Sequence, residues 1–209
     1  DELSPEEQEH FEDLFEDENG YIPDVIDGNQ INEHIKNKDT VRTMLHKLMT
    51  NGLKVENGDK LGKTIIFTNR DENAEHIVEI FNKEYPHLGQ DFCVKITNKV
   101  EKKKSLFAQF KTKDKYPQIA VSVDMLDTGV DVPEILNLVF FRKVMSKSKF
   151  WQMVGRGTRL CPNVFGQGQD KKEFLIFDYF GNIDFFRAQD EIPEGEEKTF
   201  ESITQRIFN

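Results

Sequence analysis

The sequence predicts an α/β fold in which a parallel sheet is sandwiched by helices, with an irregular or helical N-terminal arm and a C-terminal tail. The first observation behind this prediction is that short apolar runs alternate with amphipathic segments, the pattern of strands joined by crossover helices. The second is composition, since 37% hydrophobic residues and 18 phenylalanines among 209 residues can build a core. The third is the uneven distribution of charge along the chain.

Charge divides the chain into three parts. Residues 1–39 hold 14 acidic and 2 basic side chains, and residues 188–209 hold 6 acidic and 2 basic ones. Residues 40–187 hold 24 basic and 18 acidic side chains, although the whole chain has a net charge of −10. We therefore expect an acidic arm or interdomain linker at 1–39, a folded domain at 40–187, and an acidic tail at 188–209 that leads to a further C-terminal region.

The elements of the folded domain follow in order. Valine, methionine and leucine residues recur at helical spacing from Val41 until Asn51-Gly52, where glycine can end a helix. Asp71 is a candidate N-cap for the helix after the first strand. The remaining apolar patterns predict strands at 63–69, 92–97, 118–123, 136–142 and 172–180, and helices at 100–111 and 148–160. In such sheets, ligands bind beyond the carboxyl ends of the strands.

The sequence predicts neither a complete site for nucleoside triphosphate hydrolysis nor a metal site built on cysteine. Gly62-Lys63-Thr64 looks like the end of a phosphate-binding loop, but Asn57 stands where its first glycine is needed, and the segment opens a strand rather than a helix. No DExH sequence follows an apolar strand, so the chain alone should not hydrolyse a nucleoside triphosphate. Cys93 and Cys161 lack a CxxC partner or a histidine at ligand spacing, so no metal site is expected.

The segment 152–159 carries the strongest candidate for phosphate chemistry. On a helix that runs to residue 160, Gln152, Arg156 and Arg159 fall within a sector of about 60°. Planar guanidinium groups bind phosphate oxygens and can stabilise charge that develops during phosphoryl transfer. Gly155 and Gly157 weaken such a helix, and the close approach of a ligand or another domain would explain them. The alternative is a surface helix whose arginines pair with nearby carboxylates.

The segment 121–133 carries the second candidate. A buried strand leads into a loop with three aspartates, one glycine and a final proline. Gly129 permits an unusual backbone conformation, and the carboxylate of Asp131 could accept hydrogen bonds from a ribose hydroxyl. The alternative is an ordinary polar loop in which an aspartate caps a helix.

Together these segments resemble motifs V and VI of the superfamily-2 helicases, and IIFTNRDENAEHIVEIF resembles the motif IV segment that opens their second RecA-like domain. The resemblance covers about residues 61–182. The string DMLDTGVDVPEILNLVFFRKVMSKSKFWQMVGRGTRLCP, followed by FLIFDYFGNIDFF, is similar to the motor (R) subunit of type I restriction endonucleases. Thr128 stands where RNA helicases of this superfamily usually have arginine, which favours a motor for duplex DNA.

The resemblance implies one half of an ATP site between two RecA-like domains. ATP and Mg²⁺ would be bound mainly by a first motor domain that lies outside this sequence. Arg156 and Arg159 would reach the γ-phosphate, Gln152 would support them, and Gly129 and Asp131 would line the nucleotide. The chain would then be the second motor domain of an ATP-dependent DNA translocase with an endonuclease function in the complete protein, and inactive on its own.

The resemblance also implies contacts with the phosphodiester backbone of double-stranded DNA. The residues expected to make them follow three strands: Thr68, Asn69, Arg70, Thr97, Asn98, Ser122, Val123 and Asp124. In a type I restriction system, the further partners would be the methyltransferase and specificity subunits. Two alternatives remain open, namely a DNA-repair or type III restriction motor, and a non-catalytic α/β interaction module.

The chain contains no apolar run long enough to cross a membrane, and its acidic first residues do not resemble a signal peptide. It also lacks an initiator methionine. We therefore expect a cytoplasmic protein that contacts no membrane, and a sequence that is a piece of a longer chain.

Overall fold

A computed structural model describes residues 35–97, 103–123 and 131–188. The main elements of the described part are five α-helices and seven strands. The helices are α1 (Lys38–Asn51), α2 (Asp71–Glu84), α3 (Lys103–Phe110), α4 (Lys147–Val154) and α5 (Asn182–Ala188). The strands are β1 (Lys54–Val55), β2 (Lys60–Leu61), β3 (Lys63–Phe67), β4 (Cys93–Lys95), β5 (Ile119–Ser122), β6 (Ile135–Phe140) and β7 (Leu175–Asp178). Among these residues, no helix is long and apolar enough to cross a membrane.

Five of the strands form one parallel sheet with the order β4-β5-β3-β6-β7. β3 lies in the centre, and Phe67 at its end is paired with Ser122 of β5 and with Phe140 of β6. Every residue of β3, β5 and β6 is buried, as expected for a parallel sheet covered on both faces. The predicted fold class is therefore confirmed.

Alternation along the strands supplies a core on each face of the sheet. Ile66 of β3 belongs to the cluster that includes the buried faces of α1 and α2. Its neighbours Ile65 and Phe67 belong to the second cluster, which includes residues of α3, α4 and α5. Because successive side chains of a strand point to opposite faces, each strand contributes to both clusters. The helices on the second face include α4, which carries the predicted arginine segment.

Local signals explain where several helices begin. Asn37 caps α1, since its side chain accepts a hydrogen bond from the amide of Asp39 at 2.9 Å. Ser146 caps α4 by accepting from the amide of Lys149 at 3.4 Å. The cap of α2 is Arg70, whose side chain makes no capping hydrogen bond, and Asp71 is instead the first helical residue. The N-cap prediction for Asp71 was therefore wrong by one position.

The structure differs from the predicted elements in four further places. The helix predicted at 148–160 ends at Val154. α5 and the short antiparallel hairpin of β1 and β2 were not predicted. Ile35, which falls within the predicted arm, is fully buried in the core with α1. The predicted strand at 63–69 begins at the observed residue, and the other predicted boundaries of the parallel strands differ from the observed ones by one to three residues. Residues 1–34 and 189–209 lie outside the described part.

Lys63 is the lysine of the segment that looks like the end of a phosphate loop. It is the first residue of β3, so the strand context expected from the sequence is confirmed. Its side chain is only 2% exposed, and its Nζ donates to the carbonyl oxygens of Lys115 at 2.5 Å and Pro117 at 2.9 Å. Burial lowers the pKa of Lys63 from 10.5 to about 8. This lysine therefore binds the chain's own backbone rather than a phosphate.

We predict that Lys63 makes the free energy of unfolding of the chain depend on pH. The pKa of Lys63 is about 8 in the folded state, and its ordinary value of 10.5 applies to the unfolded chain. Between pH 8 and pH 10.5 the unfolded chain therefore binds more protons than the folded chain. The free energy of unfolding of the wild type should rise relative to that of Lys63→Met by about 2–3 kcal/mol between pH 8 and pH 10.5. Urea unfolding at several pH values measures this difference, and a difference that does not change with pH would contradict it.

Candidate functional site

Three of the predicted strand-end segments meet at one edge of the sheet. β4, β5 and β3 are neighbours, and the main chain continues the pairing, since the amide of Thr68 donates to the carbonyl oxygen of Ser122 at 3.0 Å. Thr97 follows β4 by two residues. Parallel strands place their carboxyl ends together, so the sheet brings the predicted DNA-binding segments of β3, β4 and β5 to one place.

The side chains at this edge divide into buried and accessible groups. Thr68 and Ser122 are fully buried, and Thr97 is 2% exposed. Asn69 and Val123 are half-buried, and Arg70 is exposed. The three buried hydroxyl groups are therefore not on the surface in this conformation, and only their main chain or the accessible neighbours can meet a ligand. Asn98 and Asp124 lie outside the described residues.

An ionic cluster holds the beginning of α2 against the end of β4. The hydroxyl of Thr97 donates to Oδ1 of Asp71 at 2.6 Å, and Nζ of Lys95 donates to Oδ2 of Asp71 at 3.1 Å. Lys95 also pairs with Glu75. Burial lowers the pKa of Lys95, but hydrogen bonds to Glu75 and Asp71 outweigh it, so the pKa is raised. Thr97 is thus a structural residue here, which its small polar side chain alone could not reveal.

Two further residues at this edge were not predicted. Nη1 of Arg142, which follows β6, donates to the carbonyl oxygen of Thr68 at 3.3 Å. Asn182 is fully buried at the start of α5, where its Oδ1 accepts from the amide of Val144 at 2.7 Å and its Nδ2 donates to the carbonyl oxygen of Arg142 at 3.0 Å. The signal in the sequence was the Arg142-Lys143 pair directly after an apolar strand.

Asp178 at the end of β7 holds Asn182 in place. Its Oδ1 accepts from Nδ2 of Asn182 at 2.8 Å and from the amide of Phe180 at 3.2 Å, and its Oδ2 accepts from the amide of Ile183 at 2.7 Å. Burial raises the pKa of Asp178 although these hydrogen bonds oppose the shift. The carboxyl group therefore acts as a half-buried anchor for the start of α5.

The arginine segment does not form one helical face, which corrects the geometry expected from the sequence. α4 ends at Val154, Arg156 lies in the turn of residues 155–157, and Arg159 lies beyond the turn. Nε of Arg156 donates to the carbonyl oxygen of Gln152 at 3.1 Å. The Gln152 side chain is exposed. Helical periodicity therefore does not describe how these three residues are arranged.

A different contact brings the two candidate segments together. Nε of Arg159 lies 3.3 Å from Oδ1 of Asp131, and their side chains are 62% and 69% exposed. The described part of the loop thus meets the arginine segment through a surface ion pair. Gly129 lies outside the described residues. Both partners are accessible, so a phosphate or a ribose hydroxyl can reach them.

Gly157 has a structural explanation that the sequence did not suggest. It is buried, and a Cβ atom at this position would lie 2.2 Å from the ring of Phe174. The close approach comes from the same domain, rather than from a ligand or another domain as expected. Gly155 is different, because a Cβ there would meet its nearest atom, the carbonyl oxygen of Trp151, at 3.2 Å.

A cavity of about 290 Å³ lies at the opposite edge of the sheet, where β3, β5 and β6 begin. Lys63, Gln118 and Glu134 are among the residues that line it. Basic and acidic side chains are mixed around this cavity, and none of the predicted site residues that the structure describes belongs to it. The accessible guanidinium groups and the carboxyl ends of the strands remain the features that suit a nucleotide or a nucleic acid.

The parallel sheet and the arrangement of these segments define the second RecA-like domain of a superfamily-2 helicase. The comparison with known families agrees, since residues 40–161 match the helicase conserved C-terminal domain. This match covers more than half of the chain, and the chain belongs to that family.

The chain is similar to two curated subunits of restriction enzymes from Escherichia coli. It is 42% identical over 124 residues to the endonuclease subunit of the type I restriction enzyme EcoKI from strain K12. This match covers 56% of this chain and 10% of that protein. It is 30% identical over 184 residues to the endonuclease subunit of the type I enzyme EcoAI, which covers 81% of this chain and 22% of that protein. The resemblance to type I R subunits is therefore confirmed.

A solved structure is also similar. It is a fragment described as an HsdR subunit of a type I restriction enzyme from Vibrio vulnificus YJ016, with a TM-score of 0.65 and 27% identity, and the match covers 81% of this chain and 32% of that one. The chain thus spans less than a third of the length of each of these three relatives.

We predict that Gly157→Ala destabilises the domain. The added methyl group has to displace the ring of Phe174, and the overpacking should lower the free energy of unfolding by about 1–3 kcal/mol. Urea unfolding followed by circular dichroism measures this change. Gly155→Ala is the matched control in the same turn and should change the free energy by less than about 1 kcal/mol.

A double variant tests whether Phe174 is the cause. Shortening Phe174 to alanine removes the ring that the new methyl group meets. The cost of Gly157→Ala should therefore be clearly smaller in a Phe174→Ala background than in the wild type. Equal costs in both backgrounds would show that the contact with Phe174 does not determine the need for glycine.

Proposed function

We propose that this chain is the second motor domain of an ATP-dependent DNA translocase, the restriction subunit of a type I restriction-modification enzyme. In this role it supplies an arginine finger and contacts with the DNA backbone. The observation that carries the proposal is the pair of Asp131 and Arg159, because it joins the two segments that resemble motifs V and VI. The similarity to two type I endonuclease subunits supports the same conclusion.

The residues present suit one side of an ATP site. Arg159 uses its Nε in the ion pair with Asp131, and the whole side chain is 62% exposed. A guanidinium group presents several donors in a plane that matches the oxygens of a phosphate. Arg156 lies in the turn after α4, and its Nε donates to the carbonyl oxygen of Gln152. The two arginines and Asp131 therefore fit a bound nucleoside triphosphate.

Each residue has a distinct proposed role. ATP supplies the γ-phosphoryl group whose transfer to water drives movement along DNA. Arg159 stabilises negative charge near that group, Arg156 adds a second positive charge, and Gln152 supports Arg156. Asp131 and Gly129 line the nucleotide, and Asp131 also orients Arg159 before the site closes.

The first RecA-like domain of the complete protein is the proposed partner for catalysis. It would supply the phosphate loop and the acidic residues for Mg²⁺, since Lys63 is engaged by backbone carbonyl groups. In the described ranges, no group of three or more histidine, cysteine, aspartate or glutamate side chains is placed to hold a metal ion. Closure of the two domains around ATP would then couple hydrolysis to movement on DNA.

The carboxyl-end edge of β3, β4 and β5 is the proposed side for DNA. Asn69, Arg70 and Val123 are accessible there, and the amide groups at the start of α2 lie beside them. Main-chain and side-chain donors of this kind bind phosphate oxygens without reading the base sequence. Recognition of a sequence would come from a specificity subunit, with the methyltransferase subunit as a further partner.

We predict that Arg159→Ala abolishes DNA-stimulated ATP hydrolysis in the full-length protein. Arginine fingers contribute about 10³-fold or more to turnover, so the rate should fall by at least that factor, while duplex DNA affinity should stay within about twofold. A coupled ATPase assay and fluorescence anisotropy with labelled duplex measure the two effects. Undiminished turnover would exclude the finger role.

The matched control is Arg42→Ala. Arg42 is an exposed arginine on α1, where it pairs with Asp39 and Glu84. The substitution removes the same charge from a helix that packs on the other face of the sheet from α4. Hydrolysis should remain close to that of the wild type, and an equal loss in both variants would indicate a general effect of charge.

We also predict that the 209-residue chain alone does not hydrolyse ATP. The chain contains neither a phosphate loop nor a DExH sequence, and ATP hydrolysis by motors with a phosphate loop depends on that loop and on an acidic residue for Mg²⁺. Release of inorganic phosphate with and without duplex DNA measures the activity. Hydrolysis above that of a buffer blank, retained after a second purification step, would contradict the prediction.

A further inference from the structure

The chain contains a long stretch without acidic residues around β6 and α4. Residues 135–169 include six basic side chains and no aspartate or glutamate. The basic residues are Arg142, Lys143, Lys147, Lys149, Arg156 and Arg159. Because residues 40–187 hold 24 basic and 18 acidic side chains, this stretch alone accounts for the whole positive excess of the domain. Positive charge is thus concentrated in the part of the chain between β6 and β7.

The connection between β6 and α4, residues 141–146, is held firmly by buried polar groups. Asn182 accepts from the amide of Val144 and donates to the carbonyl oxygen of Arg142. Asn182 is itself fixed by the half-buried carboxyl group of Asp178. A connection that is bound at two points by one buried side chain has little freedom to collapse onto the surface. Its outward-facing residues are therefore held in place.

The two basic residues of this connection lie against the strand ends. Nη1 of Arg142 donates to the carbonyl oxygen of Thr68 at 3.3 Å, next to the accessible Asn69 and Arg70. Nζ of Lys143 lies 3.5 Å from the carbonyl oxygen of Phe180 and 4.3 Å from the centre of the Phe185 ring. Arg142 thus lies beside the edge where the proposed function places DNA, and Lys143 lies at the same carboxyl end of the sheet, toward β7.

Met145 lies in the middle of this basic connection and is 75% exposed. Its neighbour Val144 is 1% exposed, so the main chain buries one side chain and turns the next one outward. An exposed apolar side chain of this size inside a basic surface suits a partner that has both charged and apolar parts. A nucleic-acid strand has negatively charged phosphates beside apolar faces of sugars and bases.

We propose that Arg142, Lys143, Lys147 and Lys149, here called the β6–α4 basic surface, contact one phosphodiester strand of DNA and that Met145 packs on its sugars or bases. The inference rests on the proposed function, since it extends the DNA side of the same domain. Charge complementarity favours this occupant over an apolar protein surface, because a protein partner would have to bring several carboxylates to this surface.

The first experiment measures the salt dependence of DNA binding by the full-length protein. In Lys147→Gln/Lys149→Gln, two phosphate contacts are lost. The slope of the logarithm of affinity against the logarithm of salt concentration should become about two units less steep, and affinity near physiological salt should fall about 5–30-fold. Fluorescence anisotropy with a labelled duplex at several salt concentrations measures both quantities.

A matched control and a second variant complete the test. Lys47→Gln/Lys83→Gln removes two exposed lysines from α1 and α2 and should leave the slope within about half a unit of the wild type. Met145→Ser should weaken binding about 3–10-fold without changing the slope, because an apolar contact releases no counterions.

The outcomes distinguish this inference from the proposed function. If the wild type binds DNA and hydrolyses ATP in response to it, but both the lysine variant and Met145→Ser retain its affinity and slope, only the inference is overturned. If these variants change the ATP requirement or subunit assembly while DNA affinity stays constant, the surface binds protein and the inference is also overturned. If the wild type shows no DNA-stimulated hydrolysis, the proposed function itself fails.

Discussion

The parallel pairing of β3 with both β5 and β6 is the constraint on which the candidate site depends. Phe67 at the end of β3 is level with Ser122 and Phe140, so the residues that follow these strands emerge at one edge. A shift of the register by one residue would turn Ile65 and Phe67 away from the cluster they share with α4 and α5. The apolar core on both faces therefore determines which polar residues can meet at the edge.

Buried and half-buried polar groups then give this edge its detailed shape. Asp71 joins the end of β4 to the start of α2, and Asn182 joins the end of β6 to the start of α5. Each of these groups has several partners, and removal of one would leave buried donors or acceptors unsatisfied at a cost of about 1–3 kcal/mol each. Asp71, Thr97 and Asn182 are thus held by partners within the domain, which leaves the accessible side chains to bind ligands.

The sequence was sufficient for the sheet but not for the turn after α4. Apolar runs predicted all five parallel strands, because a strand buried on both faces has few other compositions. Periodicity did not predict that α4 ends at Val154, and it could not show that the ring of Phe174 leaves no room for a side chain at Gly157. Likewise, Thr97 is polar at a strand end, yet its partner Asp71 and its burial are tertiary facts.

The ion pair of Asp131 and Arg159 has properties that suit a temporary contact. Both side chains are more than half exposed, and exposed pairs stabilise a protein by only about 0–1 kcal/mol. Asp131 can therefore limit the directions in which the guanidinium group points while holding it too weakly to compete with a phosphate, to which hydrogen bonds are charge-assisted and bidentate. A buried pair in the same place would resist release of Arg159. The exposure of the pair, rather than its strength, is what makes it compatible with a catalytic arginine.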